Sequence, residues 1–381
     1  MKMLTVGPKD IHQFDTVKEF AEEFKLGPRD LVVTIGMIHD AFLEPHLNGA
    51  NVLLVDKYGN QEPTDVMIDA IITDAKAFDY DRIVAIGGGA VMDMSKIVAV
   101  AGGASIDEVI DHLPDFKRTV GLVLVPTTCG TGSEVTEIAA INRTRLGCKA
   151  GIAGPEMFAD HAVLIPELLY GLPDHVFMTS SLDALVHSVE STLSPNATPY
   201  TRLFGYEAMR MIVGGYQAIV EAGGPDGDAE KRRVKRNELM TDFLIASDYA
   251  GISFDTGGCA AVHALSYQLG GKYHVPHGES NYAMFTGVLR NYMEIKPDGE
   301  IAKLNGVLAG LLGCDVADVY DELERLINKL LPKKALHEYG VTREDLPEFT
   351  DRVMTTQARL MRNNYVPLDA ARVRKIFEEL Y

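Results

Sequence analysis

Asp81-Arg-Ile-Val-Ala-Ile-Gly-Gly-Gly-Ala-Val-Met-Asp-Met-Ser-Lys96 changes its period at the three glycines. Residues 83–86 form a short apolar run, which reads as a buried strand. Gly87, Gly88 and Gly89 predict a tight turn, and residues 91–101 predict a helix. A glycine turn at a helix N-terminus exposes backbone N–H groups and the positive end of the dipole, so it can hold a phosphate. The spacing is neither G-x-G-x-x-G nor a P-loop. On the residues alone two readings stand: a phosphate cradle, or an ordinary strand–helix turn whose glycines serve backbone geometry.

The same texture extends outward. Short apolar runs at residues 31–35, 51–55, 120–125 and 162–165 alternate with helical stretches, the pattern of an α/β sheet with crossover helices. After Leu172-Pro173 the pattern turns helical, at residues 176–192, 200–222, 230–247 and 317–331, with a Gly/Pro/Asp loop at 223–228. We therefore expect an α/β N-terminal domain, residues 1–170, with a parallel sheet flanked by helices. An all-α domain, residues 171–381, should follow. Downstream of the 121–125 strand lies Pro126-Thr-Thr-Cys-Gly-Thr-Gly-Ser-Glu-Val-Thr136. Its hydroxyls and glycines suit the ribose and amide groups of a nucleotide, or cap the next element.

The helical half carries a candidate ligand set. Asp183 and His187 stand four apart in TSSLDALVHSVE, one turn apart on one helix face. His263 and His277 follow in VHALSYQLGGKYHVPHGES, 14 residues apart across Gly-Gly-Lys-Tyr and a proline. That gap predicts a helix, a turn and a ligand, His277, delivered from the loop. One carboxylate and three imidazoles suit Fe(II) or Zn(II). The set contains no cysteine, which argues against a structural zinc site. The bland alternatives are a solvated helix face for the Asp/His pair and a satisfied core histidine for His263.

Composition narrows the partners. The 381 residues can bury a large core, and 46% hydrophobic with 24% charged content is ordinary for a globular protein. A net charge of −18 disfavours nucleic acid and anionic membrane surfaces. No apolar run reaches the length of a membrane span, and Met1-Lys-Met-Leu-Thr5 opens without a signal-peptide pattern. Cys129, Cys148, Cys259 and Cys314 form no C-x-x-C and are expected to be reduced thiols of a cytoplasmic protein.

GGGAVMDMSK, PTTCGTGSEVT, the Asp183/His187 helix and the His263/His277 segment together resemble the iron-containing (group III) alcohol dehydrogenase family. The resemblance runs through nearly the whole chain. It implies an NAD(H)- and Fe(II)-dependent oxidoreductase with its active site in the interdomain cleft, Zn(II) satisfying the same ligands. Asp183, His187, His263 and His277 would hold the metal. Gly88 and Gly89 would cradle the pyrophosphate, and Asp93 would support their loop. Thr127, Thr128 and Thr131 would line the nucleotide cleft, Lys149 would reach the ribose and Leu168 would pack on the adenine side. The family also implies a homo-oligomer acting on a small hydroxy acid or aldehyde. The longer segments at 193–201 and 261–282 are similar to the branch that interconverts 4-hydroxybutyrate and succinic semialdehyde. Other readings are a family member acting on lactaldehyde, propanediol or a simple alcohol, and a dehydroquinate-synthase-like lyase. The lyase would need a Lys/Arg cluster where this chain has Lys272 alone.

Two departures bear on function. Many family members carry a second histidine four residues after the first ligand of the C-terminal pair, and here that position is Tyr267. The catalytic candidates are therefore His263 and His277, with Tyr267 or His274 in place of the missing proton relay. The first predicted strand ends in Thr34-Ile35, where an aspartate that selects NAD often stands. A substrate carboxylate would need a cationic partner. Arg143, Arg145, Lys272 and His274 are the candidates, the last two favoured because they precede His277 in the same segment.

Overall fold

The computed structural model describes residues 5–59, 62–145 and 148–381, with the backbone alone described at Cys148 and Lys149. The chain divides into two compact units, Val6–Gly171 and Leu172–Tyr381.

In the first unit β1 (Asp10–Gln13), β2 (Asp30–Thr34), β3 (Asn51–Leu54), β4 (Arg82–Gly87), β5 (Gly121–Pro126) and β8 (His161–Leu164) form one sheet. Its order is β1-β8-β5-β4-β2-β3 and every pair is parallel. Val32 lies opposite Val84, and Ala85 opposite Leu124. The central strands are buried along their lengths, which explains why they read as continuous apolar runs: helices cover both faces of a parallel sheet. One of them, Gly89–Ala101, buries Val91, Met92, Met94 and Ile97 in the same cluster as Ile83 and Ala85. From β2 the chain steps outward to β3, then returns to β4 on the other side of β2. The carboxyl ends of β2 and β4 thus flank a topological switch point, where open α/β sheets bind ligands.

Three strands were not expected. β1 is a short edge strand with polar, largely exposed residues. β6 (Ile138–Arg143) and β7 (Cys148–Ala153) form a separate antiparallel hairpin, with Ile138 opposite Ala153.

Among the described residues the second unit contains helices and no strand. Its central helix, Asp174–Leu193, is buried on nearly every face, against Pro199–Ala222, Met240–Gly257 and His277–Ile295. Small hydroxyl residues permit that close packing: Ser181 Oγ meets Tyr216 OH at 2.8 Å, and Ser191 Oγ meets Ser253 Oγ at 2.6 Å. The helix expected over 230–247 is two helices, Ala229–Glu238 and Met240–Gly257, broken at Leu239. Its first part is polar on all sides and is anchored through Arg236, which donates to Leu172 O at 2.9 Å and Asp174 Oδ1 at 2.6 Å. The stretch expected at 317–331 is likewise a 3₁₀ turn, Val316–Asp318, running into Val319–Asn328. No single described helix is long and apolar enough to cross a membrane.

Candidate metal and nucleotide sites

Asp183 and His187 lie one turn apart on the central helix, and both are buried. His263 occupies the first turn of the Ala261–Tyr273 helix. His277 is the first residue of the His277–Ile295 helix, with Pro276 as its N-cap. This corrects the expectation of a loop ligand. The preceding helix runs straight through Gly270-Gly-Lys-Tyr273 and stops only where His274 takes a left-handed φ of 55°.

The four side chains converge. Asp183 Oδ1 lies 3.7 Å from His187 Nε2 and 3.5 Å from Nε2 of both His263 and His277. Bonds of about 2.1 Å at tetrahedral angles space donor atoms about 3.4 Å apart, so the distances from Asp183 Oδ1 to the three imidazoles fit a divalent first-row ion, and the donor atoms of Asp183, His263 and His277 lie within 4.8 Å of one another. Burial pushes the Asp183 carboxyl up, yet the facing histidines outweigh it and hold it below the usual carboxylate range. Burial lowers His187 and His263, but Asp183 on the first and the Cys259 thiol, Asp183 and Glu190 on the second raise both above the ordinary imidazole value. The pocket therefore stabilises positive charge, as a cation site must.

Neighbours that sequence reading missed hold this set in place. Glu190 Oε2 accepts from His263 Nδ1 at 2.7 Å and from Ala260 N–H at 2.9 Å, while its Oε1 accepts from Val262 N–H at 2.6 Å. One buried carboxylate thus caps the helix bearing His263 and turns that residue's Nε2 toward Asp183, with Asn281 Nδ2 3.3 Å away, the carboxylate–histidine arrangement of metal centres. Asn281, one turn after His277, donates through Nδ2 to Asp183 Oδ1 at 2.7 Å. The His187 ring stacks on Phe254 at 4.2 Å and on His263 at 4.8 Å. Cys259 lies beside the same two histidines. Burial raises its thiol, but their charge outweighs burial and brings it down to about 7. Glu190→Gln places an amide N–H against donors that now face a carboxylate. We expect a loss of about 10–100-fold in metal affinity, read by titration against a chelator of known strength, with little change in helix content.

His277 is the exposed member of the set, with 31% of its side chain accessible, so the cluster opens on that side. The Tyr267 ring lies 5.8 Å from that of His277 and 6.5 Å from that of His263. His274 is exposed at the helix end. Three of the four cations weighed for a substrate carboxylate, Lys272, Arg143 and Arg145, are already paired. Lys272 Nζ lies 2.6 Å from Asp345 and 3.0 Å from Glu348. Arg143 meets Asp107 at 2.8 Å, and Arg145 meets Asp69 at 2.6 Å and Asp107 at 2.8 Å.

In the first unit the glycine turn lies at the carboxyl end of β4. Gly88 caps the Gly89–Ala101 helix in extended conformation, and Gly88 and Gly89 stay partly exposed. A Cβ on Gly89 would come within 2.7 Å of the Thr131 side chain, and one on Gly88 within 3.6 Å of Thr128. The two loops therefore touch, and both threonines are partly exposed. Thr127 is buried, and its N–H donates to Gly87 O at 3.0 Å. Asp93 points into the fold: it accepts from Ser133 Oγ at 2.5 Å and Ala140 N–H at 2.8 Å. Lys96 Nζ adds a bond to Ile138 O at 2.8 Å. Leu168 is buried in the turn Pro166–Leu169. Lys149 lies on β7 with its backbone opposite Asn142, and its side chain is outside the described residues. Asp56, after β3, accepts from Gly36 N–H at 2.9 Å beside the switch point. A signal for it was present, since it follows Gly36 by 20 residues, the usual interval to the acid that meets an NAD ribose.

Comparison with known proteins follows the same division. The model of iron-containing alcohol dehydrogenase matches residues 8–166, and that of the C-terminal part of the Fe-containing alcohol dehydrogenase family matches residues 177–381. The chain is 43% identical over 381 residues to 4-hydroxybutyrate dehydrogenase of Clostridium kluyveri, covering all of both chains. It is 31% identical over 376 residues to sulfoacetaldehyde reductase of Bilophila wadsworthia, covering 93% of each. Its fold matches the crystal structure of sulfoacetaldehyde reductase from Bifidobacterium kashiwanohense in complex with NAD+, with a TM-score of 0.81 at 22% identity, over 99% of this chain and 98% of that one.

Proposed function

The chain belongs to the iron-containing alcohol dehydrogenase family, and from that premise we propose that it interconverts 4-hydroxybutyrate and succinic semialdehyde with NAD(H) and a divalent metal, Fe(II) by family. The observation that carries this reading is the 43% identity to a 4-hydroxybutyrate dehydrogenase over the full length of both chains. The donor set of Asp183, His187, His263 and His277 supports it. The sulfoacetaldehyde reductase relative also acts, by its name, on a short anionic aldehyde. The reading extends to a cytoplasmic homo-oligomer.

In this account Asp183, His187, His263 and His277 hold the metal, and Gly88, Gly89, Thr128 and Thr131 meet the dinucleotide. Bound there, the ion would lower the pKa of the substrate hydroxyl and the nicotinamide would exchange hydride with its carbon. The chain's own residues prepare that chemistry. Glu190 fixes the tautomer of His263, and Asn281 fixes the carboxylate plane of Asp183. Asp93 and Lys96 tie the helix after the glycine turn to the segment around Ser133–Ala140. The carboxylate of Asp56 beside the switch point disfavours a 2′-phosphate by charge, which supports NAD over NADP.

Of the two groups considered for proton transfer, Tyr267 lies against His263 and His277, so the role goes to Tyr267. Tyr267→Phe is expected to lower kcat about 100-fold while leaving metal content and KM within a small factor. Steady-state kinetics beside metal analysis checks this, and unchanged kcat removes the role.

Lys272 is read here as a structural cation. Its hydrogen bond, with those of Tyr273 and Thr342, holds the Asp345 carboxyl well below the usual carboxylate range. A depressed carboxyl stabilises the fold above its unfolded pKa of about 4 and loses that contribution as pH falls further. Lys272→Met should lower stability at neutral pH and flatten the acid limb of the stability profile, with KM for succinic semialdehyde unchanged. Denaturant unfolding at neutral and acid pH tests the first part. A raised KM would instead make Lys272 a partner of the substrate carboxylate.

The deciding assay for the function is anaerobic NADH oxidation by Fe(II)-loaded protein, with succinic semialdehyde, acetaldehyde and lactaldehyde in parallel. Preference for the first supports the reading. Turnover of the uncharged aldehydes alone keeps the family and discards the substrate.

A further inference from the structure

His263 belongs to two donor sets at once. In one, it joins Asp183 and His277, whose donor atoms lie within 4.8 Å of one another. In the other it joins His187 and the Sγ of Cys259, again within 4.8 Å. The sulfur is held in place by its backbone. Cys259 lies between the helices Met240–Gly257 and Ala261–Tyr273, and its carbonyl accepts from Asn363 Nδ2 at 2.9 Å. Gly258 before it takes a left-handed φ of 77°, and Ala260 after it is held by Glu190 at 2.9 Å. The carboxylate that orients His263 therefore also fixes the residue next to Cys259.

We propose that His187, Cys259 and His263 form a second, sulfur-containing metal position that competes with the Asp183/His277 side of the cluster. The inference rests on reading the cluster as a cation site. Glu190 occupies Nδ1 of His263, so both sets draw on the same Nε2 and only one can be filled at a time. Ligand chemistry separates them. A carboxylate with imidazoles suits Fe(II), whereas a thiolate with two imidazoles suits Zn(II) and other softer ions. An ion drawn to Cys259 is withdrawn from Asp183 and His277. The choice of metal then sets which side of the cluster is occupied.

Cobalt(II) separates this inference from the reading beneath it. The full chain is loaded with Co(II) anaerobically in the presence of a non-thiol reductant. Ligand-field bands in the visible report any bound cobalt, and a sulfur-to-cobalt charge-transfer band in the near ultraviolet reports Cys259. We expect both bands in the unaltered protein. Cys259→Ser should lose the charge-transfer band and keep the visible bands, and His277→Ala should keep the charge-transfer band. Visible bands without charge transfer in the unaltered protein would overturn the sulfur position and leave the cation site standing. A charge-transfer band that persists in both Cys259→Ser and Cys259→Ala would overturn it too, because another thiol would be the donor. Absence of every band would sink the cation site itself, and the sulfur position with it.

Discussion

His277→Ala is expected to lose Fe(II) from the Asp183 side of the cluster and to turn over on the order of 1000-fold more slowly, the equivalent of the several kcal/mol that a Lewis acid supplies. The Asn281 amide, one turn on, cannot replace the lost nitrogen, because it is already donating to Asp183. Metal analysis of the purified variant and NADH oxidation under saturating substrate check the two parts separately. Full metal content with full activity would remove His277 from the ligand set. Because His277 opens its helix and faces outward, its truncation leaves no core cavity, so stability should change far less than activity.

Gly278→Ala should act on both stability and metal binding. A Cβ at Gly278 would sit 1.8 Å from the carbonyl oxygen of Thr179 and 2.6 Å from its carbonyl carbon. These are backbone atoms of the central helix, so no rotamer change can relieve the clash and one helix must move. Overpacking of this kind costs about 1–3 kcal/mol. The movement separates His277 from Asp183, which lies one turn along the same helix from Thr179. Thermal unfolding of the metal-free protein should show the loss of stability, and a metal titration at a temperature where the variant is folded should show weakened binding in addition. Normal affinity in a destabilised variant would mean that the helices part elsewhere.

The parts of this molecule legible in its sequence are those where one local pattern determines one local structure. The buried strands β2, β4 and β5 announce themselves as apolar runs because both faces of a parallel sheet are covered. The Asp183/His187 pair follows from helix geometry alone. β1, β6 and β7 escaped because Asp10-Ile-His-Gln13 is polar at an edge, and Ile138-Ala-Ala-Ile-Asn-Arg143 and Cys148-Lys-Ala-Gly-Ile-Ala153 are rich in residues of weak strand preference. Their pairing depends on contacts made elsewhere, such as Asp93 with Ala140. His277 was placed in a loop because two glycines suggested a stop, whereas the helix continues through them to Tyr273. Glu190 and Asn281 were invisible for a different reason. Each acts across tertiary distance, Glu190 on a histidine 73 residues away, and no spacing rule connects such partners.

The central claim is that one metal cluster and one dinucleotide loop serve the oxidation state of a short hydroxy acid. Its most direct test is anaerobic NADH oxidation by Fe(II)-loaded protein with succinic semialdehyde, run with and without a chelator. We predict fast turnover that the chelator abolishes, that Fe(II) restores, and that exceeds turnover of acetaldehyde and lactaldehyde. Turnover indifferent to the chelator, or none with any aldehyde while the metal stays bound, would contradict the account.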